Sequence, residues 1–163
     1  MNVDGLKTGH TSGAGFNLIA SAVDGQRRLI AVVMGADSPK GREQQAAKLL
    51  HWGQQNFDTV QVLQDGKQVG VERIWYGDKE QIKLGTDQDF WLALPKSEVS
   101  RIKAKYVLDN KVLEAPIAAH QRVGEISLYD GDKVVAHWPL VTLESVGKGG
   151  VLSRFSDYLH QKL

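Results

Sequence analysis

Asp4-Gly5-Leu6-Lys7-Thr8-Gly9-His10-Thr11 is the stretch on which the reading of this chain turns. Most of it lies in an extended run, residues 3 to 9, which sets a cation, a hydroxyl and a bare backbone side by side. Lys7 at a strand edge places positive charge in a cleft. The Thr8 hydroxyl can donate to a carboxylate, a bond strengthened by the acceptor's charge. Gly9 lacks a side chain, so another backbone can lie close against the strand. Together these suit an extended, peptide-like ligand that ends in a carboxylate. A solvated strand end beside a turn is the plainer alternative for the Lys-Thr-Gly triplet taken alone.

Outward from that stretch, Phe16 to Val23 and Arg27 to Met34 are two more strand candidates, joined at Asp24-Gly25, a hairpin signal. Both are almost continuously apolar, the pattern of strands covered on both faces. Residues 3–9, 16–23 and 27–34 therefore read as three adjacent antiparallel strands. Gly13-Ala14-Gly15 is a turn between strands and opens no phosphate-binding helix. Ser38 then caps a helix over 40–57, with Pro39 at its first position. Ala46, Leu49, Leu50, Gly53 and Phe57 share one face of it.

From Thr59 to about Val146 the texture changes to strands and turns. Val60–Leu63, Gly70–Tyr76, Phe90–Leu94, Ile102–Leu108, Val123–Tyr129 and Val134–Leu143 are the candidates. Asp65-Gly66, Gly77-Asp78, Asp109-Asn110 and Asp130-Gly131 mark turns. Short strands at this spacing predict an antiparallel β-sandwich. Trp75, Tyr76, Trp91 and Trp138 alternate along these strands and read as packing residues. The fold class is thus an α+β part, three antiparallel strands plus one helix, followed by an all-β antiparallel sandwich and a short C-terminal amphipathic helix. The divisions fall at 1–57, 58–147 and 148–163. In the last, Val151, Leu152, Phe155, Tyr158, Leu159 and Leu163 share a helical face.

Composition narrows the partners. The chain has 163 residues and a net charge of +1, so nothing electrostatic points to nucleic acid. It has no Cys, which removes disulfide and thiolate chemistry. No run approaches the ~20 apolar residues of a spanning helix, and no basic-then-apolar leader opens the chain. His10, His51, His120, His137 and His160 are scattered without ligand spacing, so no metal and no cofactor are expected.

Lys7-Thr8-Gly9 is also the third of three short motifs of serine penicillin-binding proteins and related β-lactamases. With Asn2-Val3-Asp4-Gly5 before it, and His10-Thr11 then Gly13-Ala14-Gly15-Phe16-Asn17-Leu18 after it, the stretch resembles the D-alanyl-D-alanine carboxypeptidases. The similarity runs on through the β-rich half and the tail. The resemblance implies a parent enzyme that trims peptidoglycan stem pentapeptides, binds β-lactams and works in the periplasm, peripheral to the cytoplasmic membrane. It implies substrate-binding roles for Lys7, Thr8, Gly9, His10 and Arg42, the last near the substrate's terminal carboxylate. The alternative for Arg42 is a surface residue in the first helical turn, where a cation is unfavourable. For residues 151–163 the resemblance implies attachment to the membrane surface. A helix packed on its own β-domain is the alternative, since the tail is short and weakly cationic.

The family also needs a Ser-x-x-Lys that supplies the nucleophile and a Ser-x-Asn, both before Lys-Thr-Gly. Ser-x-Asn is absent from the sequence, and Ser100–Lys103 and Ser145–Lys148 follow Lys7 and open no helix. The chain therefore reads as the C-terminal part of a longer carboxypeptidase, catalytically inactive alone. The competing reading is a non-catalytic β-sandwich module that docks protein or membrane. Strands 16–23 and 27–34 carry more apolar surface than one helix can cover, so a homo-oligomer is expected of the chain alone.

Overall fold

The computed structural model describes residues 1–151 and 157–158. They are mostly strand, with one α-helix. Two compact units emerge: Met1–Val60 together with Ala93–Val99, and Gln61–Leu92 together with the chain from Ser100 onward.

In the first unit, β1 (Asn2–Thr11), β2 (Gly15–Asp24) and β3 (Arg27–Ala36) form an antiparallel sheet in the order β1-β2-β3. The β2–β3 hairpin turns at Gly25, whose φ of 62° is a conformation that glycine adopts without strain. Helix α1 (Pro39–Asn56) starts as the sequence dictates: the Ser38 hydroxyl accepts the Gly41 amide at 3.0 Å.

Alternation along the strands sends Ala20, Ala22, Ala31 and Val33 to one face, where Ala46 and Leu50 of α1 meet them. This core is built largely of alanine. Leu49 does not join it as the helical spacing suggested. It is 47% exposed and Trp52 57%, because the helix rests on a stripe through Ala46, Leu50 and Gly53 only. The other face of the sheet leaves Ile30, Val32 and Met34 at 61%, 55% and 78% exposure. Their apolar run foretold two covered faces, and among the described residues only one is covered.

Strands β4 (Phe57–Leu63) and β7 (Phe90–Pro95) pair as a two-stranded sheet, and the division between the units falls within both. The second unit holds β5 (Gln68–Trp75), β6 (Gln81–Gly85), β8 (Ile102–Leu108), β9 (Leu113–Glu114), β10 (Arg122–Asp130) and β11 (Lys133–Thr142). These six form one sheet in the order β8-β10-β11-β6-β5-β9. Its pairings are antiparallel except β5 with β9, which run parallel through Ile74–Leu113 and Trp75–Glu114. That exception corrects the all-antiparallel expectation. Ile82 and Leu84 of β6, Ile126 of β10 and Leu140 of β11 are fully buried and anchor the core.

Most of the amphipathic helix expected at 151–163 lies outside the described residues. Within it, Asp157 is fixed in the second unit: its carboxylate accepts the Tyr76 amide at 2.8 Å and pairs with Arg73 at 3.2 Å.

Candidate functional site

The Lys7-Thr8-Gly9 segment lies in β1, an edge of its sheet, opposite Ile19, Leu18 and Asn17 of β2. Its position is set upstream. Between Val3 and Gly5 the register shifts, and at that irregularity Asp4 grips Arg28 of β3 with oxygens at 2.8 and 2.9 Å. Arg28 also donates to the Ser21 hydroxyl on the intervening strand. The Arg28 guanidinium holds the Asp4 carboxyl below its ordinary range, and Asp4 raises Arg28 in return. The bulge thus pins three strands together three residues before the lysine.

Lys7, Thr8 and Gly9 line a shallow cleft of about 210 Å³ with Asn17, Ile19, Val32 and Met34. The Lys7 ammonium donates to the Thr8 carbonyl at 3.0 Å and remains exposed, so it has donors to spare. A Cβ on Gly9 would meet nothing within 4 Å, so open space borders the strand there. His10 is displaced from the cleft by stacking on Phe16, ring centroids 3.9 Å apart.

Arg42 reaches this end of the sheet from α1. Its guanidinium lies 5.8 Å over the Phe16 ring and donates, at long range, to the carbonyls of Gly9 (3.5 Å) and Asn17 (3.4 Å). Its Nε is buried without a hydrogen-bond partner. Arg42 is therefore tied to the backbone of the same Gly9 that borders the cleft. Of the five residues singled out in the sequence, Lys7, Thr8 and Gly9 line the cleft, while His10 stacks on Phe16 beside it and Arg42 reaches the Gly9 carbonyl from α1.

Asn17 was not among them, yet its side chain braces the cleft wall. Its carbonyl oxygen accepts the Gly35 amide at 2.9 Å and its amide donates to Gly15 at 3.3 Å. A polar residue in an apolar strand was the available signal. Chemically, the cleft offers one cation, one hydroxyl and exposed backbone: a set that binds and orients. Ser100 stands exposed in the 3-10 turn Val99–Arg101 and Ser145 in a loop, so neither opens an α-helix.

Comparison with known proteins bears on the same residues. The family described as penicillin-binding protein 5, C-terminal domain, matches residues 57–148, and the family described as D-alanyl-D-alanine carboxypeptidase matches residues 1–38. D-alanyl-D-alanine carboxypeptidase DacD of Salmonella typhimurium is 78% identical over 162 residues, which are 99% of this chain and 42% of that protein. DacA of Escherichia coli is 43% identical over 98% of the chain and 40% of its own length. Among solved structures, penicillin-binding protein 5 of Haemophilus influenzae matches with a TM-score of 0.78 and 45% identity, covering 90% of this chain and 43% of that one. The chain thus spans about two fifths of the length of the relatives it matches.

Proposed function

Because the chain belongs to the penicillin-binding protein 5 C-terminal domain family, preceded by a stretch of the D-alanyl-D-alanine carboxypeptidase family, we propose that it is the carboxylate-binding edge and β-domain of a serine-type D-Ala-D-Ala carboxypeptidase. In the complete enzyme a serine Oγ attacks the carbonyl of the penultimate D-Ala. The C–N bond to the terminal D-Ala breaks, its nitrogen takes a proton, and water later hydrolyses the ester. β-Lactams acylate the same serine. Lys7 and Thr8 hold the substrate's terminal carboxylate, Gly9 admits its backbone, and Arg42 and His10 support that end of the cleft.

The observation that carries this reading is the exposed Lys7 ammonium beside Thr8 on an edge strand bordered by open space at Gly9. The cleft supplies binding and no nucleophile, so the 163 residues alone form no acyl-enzyme. A fluorescent penicillin and a denaturing gel test both halves. The 163-residue chain stays dark, and a complete carboxypeptidase carrying these residues is labelled, more slowly after Lys7→Ala. A label on the short chain that disappears with Ser100→Ala or Ser145→Ala overturns the inactivity. Labelling of the complete enzyme that ignores Lys7→Ala overturns the role of the cleft.

The same reading divides the chain at 1–57, 58–147 and 148–163 and makes the second part an antiparallel sandwich. In its support, Leu63 of β4 and Phe90 of β7 pack with Ile74, Ile82, Ile126 and Leu140 of the larger sheet in one core. The family match beginning at 57 also supports it. The segment Ala93–Val99 nonetheless clusters with the first unit. The setting is the periplasmic cell wall, with residues 151–163 against the membrane surface. Among the described residues no helix is long and apolar enough to cross a membrane. Expressed alone, the chain pairs with a copy of itself through the bare sheet face.

A further inference from the structure

A cavity of the β-rich unit is far from Lys7 in sequence and has no part in the chemistry above. It is a groove of about 540 Å³ between the β8–β9 turn and the segment that leads into β10. Leu113, Ile117 and Val123, all buried, form its apolar floor. Its rim carries two carboxylates, Asp109 and Glu114, and two cations, Lys111 and Arg122.

The wall is fixed before any ligand arrives. Thr142, fully buried, donates from Oγ1 to the Ala118 carbonyl at 2.6 Å and accepts the Gln121 amide at 3.1 Å. Its own carbonyl takes the His120 amide at 2.7 Å, which holds His120 at a φ of 59°. Ile117 and Val146 exchange both backbone bonds at 3.0 Å. A non-glycine residue in the left-handed region costs about 1–2 kcal/mol, and such strain is kept where the surroundings over-determine it, often at ligand sites. Asp109 and Arg122 meet only at 3.4 and 3.5 Å, so the guanidinium keeps donors to spare.

We propose that this groove is a second binding site, for a short peptide carrying both a free carboxylate and a free ammonium group. Charge decides the class. A rim of both signs rejects a polyanion or polycation and matches a zwitterion, whose carboxylate faces Arg122 and Lys111 and whose ammonium faces Asp109 and Glu114. Size agrees, since clefts of roughly 300–1,000 Å³ enclose ligands of a few residues. The apolar floor receives small side chains such as alanine methyls. A stem peptide fits all three, an assignment that rests on the carboxypeptidase reading above. The β-domain would then hold one substrate strand while the cleft at Lys7 works on another.

The test is a backbone-amide NMR titration of the 163-residue chain with the pentapeptide L-Ala-γ-D-Glu-L-Lys-D-Ala-D-Ala. We expect shifts at 109–114 and 121–123, with affinity falling about tenfold or more in the double variant Lys111→Ala/Arg122→Ala. Both side chains are exposed, so the melting temperature should hold. A capped peptide without charged side chains, N-acetyl-L-Ala-L-Ala-L-Ala-D-Ala-D-Ala amide, carries neither a carboxylate nor an ammonium group and should bind more weakly by a similar factor. No groove shifts at about 5 mM peptide, equal binding of the capped peptide, or shifts confined to residues 7–10 and 17 overturn the proposal. So does displacement by the peptidoglycan disaccharide alone, which would make the site one for glycan. Penicillin labelling of the complete enzyme is read separately and reports on the cleft at Lys7, so the groove can fail while the carboxypeptidase reading stands.

Discussion

Asp4 grips Arg28 across an intervening strand, from the irregular start of β1 to β3, with the Ser21 hydroxyl between them. The contact fixes where Lys7 and Thr8 fall along the edge. It also makes a prediction about acid. The guanidinium holds the Asp4 carboxyl below the usual carboxylate range in the folded chain, whereas the unfolded chain has the ordinary value. A depressed folded pKa stabilises at pH above the unfolded value, and the contribution is lost as pH falls through the folded one. Asp4→Asn should therefore lower the melting temperature slightly at neutral pH, and the gap from the parent should close in acid. A gap that is constant with pH, in thermal melts from neutral to about pH 2.5, would refute the assignment.

At Gly124, β10 presses closely against β8. A Cβ there would lie 2.2 Å from the Val107 carbonyl oxygen and 3.0 Å from the Leu108 Cα, both backbone atoms that cannot swing aside. Gly124→Ala should cost about 3 kcal/mol, at the upper end for overpacking, and spread β8 from β10. Glu125→Ala, next door and exposed, should stay within about 0.5 kcal/mol. Urea midpoints of the two variants decide it, and near-equal values would falsify the close approach.

Asp157 is tied to Arg73 of β5 at 3.2 Å and to the amide of Tyr76, just past that strand, at 2.8 Å. Its side chain is 19% exposed, so the bond to Tyr76 is only partly screened. Tyr76 itself has a φ of 61°, and its amide is spent on this carboxylate. Asp157→Ala should speed hydrogen exchange at Tyr76 markedly and cost about 1–2 kcal/mol of local stability. Asp157→Asn, which keeps an acceptor oxygen, should recover part of the protection. An unchanged Tyr76 amide in both variants would mean that the contact carries no stability.

The first 57 residues were the more legible half, for physical reasons. Ser38-Pro39 announces its helix by chemistry that works whatever surrounds it, and Asp24-Gly25 does the same for its hairpin. Leu49 misled because helical spacing gives an arc wider than the narrow stripe an alanine-lined sheet can hold. In the β-rich half, β6 was missed although Ile82 and Leu84 alternate and are fully buried. Five residues bordered by the charged run Asp78-Lys79-Glu80 look like a loop until neighbours on both sides supply the hydrogen bonds. The parallel β5–β9 pair had no local signal at all, since two residues make that strand. In the site, Lys7 and Thr8 could be read from side-chain chemistry. Arg42's bond to the Gly9 carbonyl depends on where a helix lands 33 residues later.

One face of the first sheet is bare among the described residues. Ile30, Val32 and Met34 stand 61%, 55% and 78% exposed beside Ile19 at 39%. Each large apolar side chain left in water forgoes about 1.5–3 kcal/mol of burial, and four of them approach the whole stability of a small domain. The Asp4–Arg28 pair borders this patch and cannot cover it. The most economical cover for the chain alone is the same patch on a second copy, related by a two-fold axis. Light scattering on the purified 163-residue chain should give twice the monomer mass. Ile30→Lys with Met34→Lys should restore the monomer without unfolding, because both side chains already face water. A parent chain that scatters as a clean monomer, with the amides of 16–34 protected from exchange, would show that the sheet tolerates its open face and would sink the argument.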